Sequence, residues 1–207
     1  MIKKQLKNAW LQRQDRDPFV KLAKAQGYRS RASFKLLELQ QKYRLFKPGM
    51  DVIDLGAAPG GWSQVLSHLV GKTGSIIALD LLTIAPIENV TIIQGDFTSQ
   101  STDDALQHLL GGKKIDWVVS DMAPNMSGTW MIDQAKSMYL VECALAFAQQ
   151  TLKNGGGFLV KSFQGNGFEM VLKTLRTHFK TVVVKKPKAS RAESREIYLL
   201  ATGYNIE

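Results

Sequence analysis

The stretch Val52-Ile53-Asp54-Leu55-Gly56-Ala57-Ala58-Pro59-Gly60-Gly61-Trp62-Ser63-Gln64 constrains this chain most: an apolar run stops at a glycine-rich turn and resumes as a helical pattern. A strand that feeds a helix through such a turn belongs to an α/β sheet. Glycines at 56, 60 and 61 remove the Cβ atoms that would hold a ligand away, and the helix starting near Gly61 offers unpaired N–H groups beside the turn. A nucleotide-like ligand is expected there. The spacing departs from the dinucleotide pattern G-x-G-x-x-G, because Gly56 is followed by two alanines and a proline, and this weakens the case for NAD or FAD.

Three further runs repeat the arrangement. Ser75 to Leu79 ends in Asp80, 24 positions after Gly56 and near the ~20-residue offset of a ribose-binding carboxylate. Val90 to Gln94 ends in Gly95-Asp96, and Ile115 to Ser120 ends in Asp121. In an open α/β sheet the carboxyl ends of the strands share one crevice, so Gly56, Asp80, Asp96 and Asp121 are expected to line a common site. Each aspartate alone reads equally as a helix cap in a tight loop. Together they point to a site.

A 207-residue chain with 44% hydrophobic residues can build one sizeable core, and no linker, repeat or low-complexity tract divides it. The start lacks the apolar core of a secretory signal and no stretch approaches the ~20 apolar residues needed to cross a bilayer, so a soluble cytoplasmic protein without membrane attachment is expected. The single cysteine, Cys143, excludes a disulfide within the chain. The scattered His68, His108 and His178 lack metal-ligand spacing, and no metal is expected.

Charge is concentrated at one end. Residues 1–47 hold 13 Lys/Arg against 3 Asp/Glu, a net of +10, whereas the rest of the chain carries −1. Trp10, Phe19, Tyr28, Phe34, Tyr43 and Phe46 interleave with these cations, a mixture suited to phosphate contacts and base stacking, although several must instead anchor the segment on the core. A polyanion is the expected partner. Lys185, Lys186, Lys188, Arg191 and Arg195 form a second basic cluster that adds to this field if the fold brings the two together. Residues from about Arg31 to Tyr43 carry a helical period through Ala32, Leu36, Leu37 and Leu39, with Lys35 inside that helix.

Beyond Asp121 a turn-rich loop leads to a helical pattern from about Met131 to Lys153, which Asn154-Gly155-Gly156-Gly157 is expected to end. A fifth strand, Phe158-Leu159-Val160, delivers Lys161. A helix near 167–178 and apolar runs at Thr181 to Val184 and Ile197 to Ala201, the last beside Glu196, complete the sheet.

The segments 56–64 (GAAPGGWSQ), 120–128 (SDMAPNMSG), 160–165 (VKSFQG) and 194–196 (SRE) occur in order, and with them the chain resembles the FtsJ/RrmJ (RlmE) family of ribosomal RNA methyltransferases. The resemblance runs from the basic segment almost to the C-terminus. It implies a class I methyltransferase, with a Rossmann-like, seven-stranded, mostly parallel sheet and helices on both faces. A domain over residues 31–207 would follow a basic extension over 1–30. It also implies S-adenosylmethionine as cofactor and methylation of a uridine ribose 2′-oxygen in 23S rRNA, with a pre-assembled large ribosomal subunit as the suggested substrate. The family's tetrad falls on Lys35, Asp121, Lys161 and Glu196, with Lys161 as proton acceptor. Its cofactor residues fall on Gly60, Trp62, Asp80, Asp96 and Asp121, beside the Gly56 turn.

A sulfonium methyl is already a strong electrophile, so the enzyme must mainly align it with the incoming oxygen and make that oxygen a better nucleophile. Lysine ordinarily titrates at about 10.4, and Lys161 can take a proton only when neutral. Lys35 and desolvation push that way; Asp121 and Glu196 push the other. A charged Lys161 that stabilises the developing alkoxide is the alternative. Other functions compatible with parts of the sequence are methylation of another RNA such as tRNA, a small-molecule methyltransferase or dehydrogenase, and a non-catalytic RNA-binding assembly factor. Nothing in the sequence demands more than a monomer.

Overall fold

The structure is a computed structural model that describes residues 16–205. Its elements in chain order are α1 (Pro18–Ala25), α2 (Ser33–Tyr43), β1 (Asp51–Leu55), α3 (Gly61–Val70), β2 (Ser75–Asp80), β3 (Val90–Gln94), α4 (Gln100–Leu110), β4 (Ile115–Ser120), α5 (Trp130–Thr151), β5 (Leu152–Phe163), α6 (Phe168–His178), β6 (Phe179–Lys185) and β7 (Glu196–Tyr204). The sheet order is β3-β2-β1-β4-β5-β7-β6. Only β7 runs antiparallel to its neighbours, β5 and β6.

Four of the five residues of β1 are buried and all six of β4 are, as strands covered on both faces must be. Alternation sorts their side chains. Ile53, Leu55 and Val118 join a core with Leu106 of α4, Val141 and Ala144 of α5, and Leu175 of α6. Val52, Trp117 and Val119 point the opposite way and pack with Leu36 and Leu39 of α2 and Trp62, Val65 and Leu66 of α3. Each such large side chain contributes roughly 1.5–3 kcal/mol by leaving water, so helices on both faces are required to hold the sheet.

The chain winds from β1 outward through β2 to β3 and then returns to place β4 on the other side of β1. The carboxyl ends of β1 and β4 therefore flank the point where the winding reverses, where open α/β sheets leave a crevice. Gly56 and Asp121 occupy those two ends.

One boundary differs from the sequence reading. The helix ends at Thr151, with Leu152 already extended at φ −66 and ψ 143, so Asn154-Gly155-Gly156-Gly157 lies inside β5 rather than capping α5. Close packing explains two of the glycines: a Cβ on Gly157 would stand 2.5 Å from the Trp117 ring of the neighbouring strand and one on Gly156 2.9 Å from the Lys153 carbonyl, whereas Gly155 has open space around it and takes a φ of 80.

The basic N-terminal segment is tied to the distant C-terminal cluster. Asp17 caps α1 by accepting from the Phe19 N–H at 3.0 Å, and its other oxygen pairs with Arg31 at 3.0 Å and Arg191 at 3.4 Å. The Lys188 N–H donates to Glu38 at 2.7 Å, and Arg31 donates to the Ala189 carbonyl at 2.6 Å. The two basic regions thus form one surface. Phe19 and Tyr28 pack on Phe34, and Phe46 on Trp117, so these aromatics anchor the segment; Trp10 lies outside the described residues.

Candidate active site

Gly56 turns the chain out of β1 at φ 70, and its N–H and that of Ala57 both donate to the Leu79 carbonyl, at 2.8 and 3.1 Å. A Cβ on Gly56 would stand 2.0 Å from Cγ of Met122, so no other residue fits without displacing that side chain. Gly61 faces the same restriction from Ser30, whose Oγ would lie 2.2 Å from a Cβ. The first glycine shapes a cavity floor; the second lets α3 approach the N-terminal segment.

A cavity of about 540 Å³ opens beyond these strand ends, lined by Gly56, Asp80, Asp96 and Asp121 together with apolar Phe97 and Met122. That volume suits a ligand of nucleoside size or somewhat larger. Asp80 is fixed by two backbone donors, Ala58 and Leu82, each at 2.8 Å, which leaves its outward lone pairs for a ligand's hydroxyls. The Thr98 hydroxyl and N–H both donate to Asp96 and hold its carboxyl below the usual range, so it presents a charged acceptor. Leu81 and Leu82, 64% and 68% exposed, complete an apolar wall.

Gly60 and Trp62 take other positions. Gly60 caps α3 against Ile84, Ile87 and the Arg29 guanidinium. The Trp62 indole N–H donates to the Ala32 carbonyl at 2.9 Å, and its ring packs on Tyr198. Both lie behind the turn, away from the large cavity, although Trp62 lines a smaller hollow shared with Gly56 and Asp121.

The cluster of lysines and carboxylates follows from two periodicities. Along β7, Glu196, Tyr198 and Leu200 share one face, and along β5 so do Leu159 and Lys161, with Lys161 paired directly opposite Tyr198. On α2, Lys35 precedes Leu39 by one turn and shares its buried face. All of these side chains meet beneath α2. Lys35 Nζ lies 2.8 Å from Glu196 Oε1 and 3.7 Å from Asp121 Oδ1, and Lys161 Nζ lies 3.0 Å from the same Asp121 oxygen. Lys161 also donates to the Asp121 carbonyl.

Sequence reasoning missed the group at the centre. Lys35 donates to the Tyr198 hydroxyl at 2.9 Å, which in turn donates to Asp121 Oδ1 at 2.5 Å. Burial, then Asp121 and Glu196, push the phenol well above its ordinary range, so it stays protonated as that donor. Burial acts against the Asp121 carboxylate too, but Lys161 and Lys35 overcome it and hold the group below the usual range. Two cations and two anions therefore balance in a site where each side chain is under a fifth exposed. The period-two spacing from Glu196 could have revealed Tyr198.

Deeper still, Asp54 is buried on β1 and accepts from Ser63 Oγ at 2.6 Å. Burial raises its carboxyl to about 7, with Asp121 and Asp80 adding repulsion.

Asp121 belongs to both parts, the cavity wall and the lysine cluster. A crevice of this shape on this strand order defines a class I, Rossmann-like methyltransferase fold. The chain belongs to the FtsJ-like methyltransferase family, which residues 28–204 match.

It is 53% identical over 195 residues to ribosomal RNA large subunit methyltransferase E of Pseudomonas fluorescens, covering 94% of this chain and 93% of that one. Against the enzyme of the same name from Marinobacter nauticus it is 52% identical over 206 residues, covering both chains fully. A solved Plasmodium falciparum protein described as a ribosomal RNA methyltransferase is 34% identical with a TM-score of 0.78, over 86% of this chain and 98% of that one. Aeropyrum pernix fibrillarin, 20% identical with a TM-score of 0.57, shares the fold, over 84% of this chain and 75% of that one.

Proposed function

We propose that the protein transfers the methyl group of S-adenosylmethionine to the ribose 2′-oxygen of a uridine in 23S rRNA, acting on the assembled large ribosomal subunit. The observation that carries the reading is the shared Asp121, which joins a nucleoside-sized cavity to a buried pair of lysines. The cavity suits the cofactor: Asp80 offers acceptors for ribose hydroxyls, Asp96 an acceptor for an amino edge, and Leu82, Phe97 and Met122 apolar surface for a flat ring. Gly60 and Trp62 hold the turn from behind. When bound, the cofactor supplies an electrophilic methyl group.

The chain's own residues must then position an RNA hydroxyl and handle its proton. Asp121 fixes the Lys161 amine through its carboxylate and its carbonyl, so the amine has one orientation. In this reading the Lys161 ammonium paired with Asp121 first releases a proton to solvent, and the neutral amine then accepts the proton of the 2′-hydroxyl. Lys35, held by Glu196 and Tyr198, keeps positive charge beside the oxygen as negative charge develops there. Residues 1–30 serve as a basic extension that, with the cluster near Arg191, tracks the RNA backbone. All four tetrad residues come from one chain, so a monomer suffices, and its place of work is the cytoplasm. Among the described residues no helix is long and apolar enough to cross a membrane.

Transfer of labelled methyl from S-adenosylmethionine to large subunits lacking the modification tests the reading, with loss of transfer expected for Lys161→Ala and nearly intact RNA binding. RNA binding without transfer by the wild type would instead favour an assembly factor. The proton role has its own test, a single-turnover pH profile of Lys161→Arg. An arginine that kept most of the rate would exclude proton abstraction and leave charge stabilisation, because guanidinium does not act as a base.

A further inference from the structure

Trp130 opens α5 with 38% of its surface exposed, and Met126, Met131 and Ile132 around it are 59%, 73% and 48% exposed. The Arg195 guanidinium carbon sits 4.4 Å from the centre of the Trp130 ring. Among the described residues no carboxylate pairs with Arg195, so its charge is not spent within the fold. One edge of the indole faces the backbone after β5, where a Cβ on Gly165 would lie 3.0 Å from the ring.

This pair is built by the segments that supply the tetrad. Trp130 follows Asp121 by nine residues, Gly165 follows Lys161 by four, and Arg195 directly precedes Glu196. The supporting backbone is fixed: Gln134 donates to the carbonyls of Phe163 and Asn166 at 3.0 and 3.1 Å, and the Gln164 N–H donates to the Arg195 carbonyl at 3.2 Å. An indole that carries an unpaired guanidinium over one face and is still 38% exposed offers what a single-stranded nucleic acid needs, remaining flat apolar surface for a base and a cation for the phosphate beside it.

We propose that Trp130 and Arg195 form a stacking platform for an unpaired nucleobase within one or two nucleotides of the target ribose, and so help determine which RNA segment is methylated. The proposal rests on the RNA-methylating reading above. It assigns Trp130 a substrate-positioning role outside the tetrad.

The test is steady-state methylation of a large-subunit ribosomal RNA transcript and of assembled large subunits by wild type, Trp130→Ala, Trp130→Phe and Arg195→Ala. Loss of one stacked base raises the KM for RNA about tenfold or more for Trp130→Ala, with smaller losses for Arg195→Ala and most affinity restored by Trp130→Phe. S-adenosylmethionine affinity, read by calorimetry, stays within about twofold and also reports that each variant is folded. An RNA KM for Trp130→Ala within about twofold of wild type overturns the proposal while leaving the methylation reading intact. A loss seen on assembled subunits but not on transcript that the wild type methylates also overturns it, since the apolar face would then dock a protein. Wild type that methylates neither substrate defeats both readings.

Discussion

The cavity and the lysine cluster meet at Asp121 but solve opposite problems. The cavity leaves apolar Leu81 and Leu82 more than 60% exposed and fixes its carboxylates through backbone N–H groups. The cluster buries Lys35 and Lys161 to within 8% of full enclosure and balances them with two carboxylates and a phenol. An open apolar wall is stabilised when a ligand covers it; a closed charge network is complete already, and losing one member strands the others in low dielectric. Substitutions in the cavity should therefore act on ligand affinity, and substitutions in the cluster on the reaction itself.

The largest test of that contrast is Lys161→Ala. Single-turnover methyl transfer should fall about 10²- to 10⁴-fold while S-adenosylmethionine affinity by calorimetry changes little. A comparable loss of cofactor affinity would break the division.

Next in size is Asp54→Asn, which probes the floor beneath both regions. The Asp54 carboxyl titrates near 3.8 when unfolded and at about 7 when folded, so the folded state binds the extra proton between those values. Stability from this group is therefore greatest at low pH and falls as pH rises from about 4 to 7, by on the order of a few kcal/mol. Removing the charge should raise the urea midpoint of the cofactor-free protein at about pH 8, with the gain shrinking toward pH 5. A gain that did not depend on pH would contradict this.

Asp80→Ala should weaken S-adenosylmethionine binding about 10- to 100-fold, the scale of lost hydrogen bonds to a charged acceptor, while the rate at saturating cofactor falls far less. Calorimetry beside single-turnover kinetics would expose a rate defect that blurs the contrast. The smallest effect belongs to Lys113→Ala at the far end of β1. Its pair with Asp51 spans 2.8 Å, but the lysine is 59% exposed, so thermal unfolding should register less than about 1 kcal/mol. A larger loss would mean that exposed pairs matter as much as the enclosed network.

The cavity was far more legible in the sequence than the cluster. Gly56, Asp80 and Asp121 end buried apolar runs and Asp96 follows a partly exposed edge strand, and strand ends in an α/β sheet converge by topology alone, so spacing sufficed. Lys35, Lys161 and Glu196 lie on a helix and two strands whose mutual placement is set by long-range pairing, and only the resemblance to a family singled them out. Tyr198 reads as one more strand residue, and only its period-two spacing from Glu196 marks it. Helices at Pro18–Ala25 and Gln100–Leu110 also escaped notice. The first is masked by its charge and the second begins with polar residues, Gln100 to Asp104, that look like loop; Ser99 caps it through the Thr102 N–H.

Arg29 donates to the carbonyls of Pro59, Ala85 and Pro86 at 3.3, 2.6 and 2.6 Å, and its own N–H donates to Gln64 at 3.1 Å. Six residues later the same segment supplies Lys35. One side chain thus acts as a strut between the backing of the glycine turn that floors the donor's chamber and the arm that carries a buried ammonium. Loosening that strut would detune both halves of the reaction at once, without touching any atom that reacts.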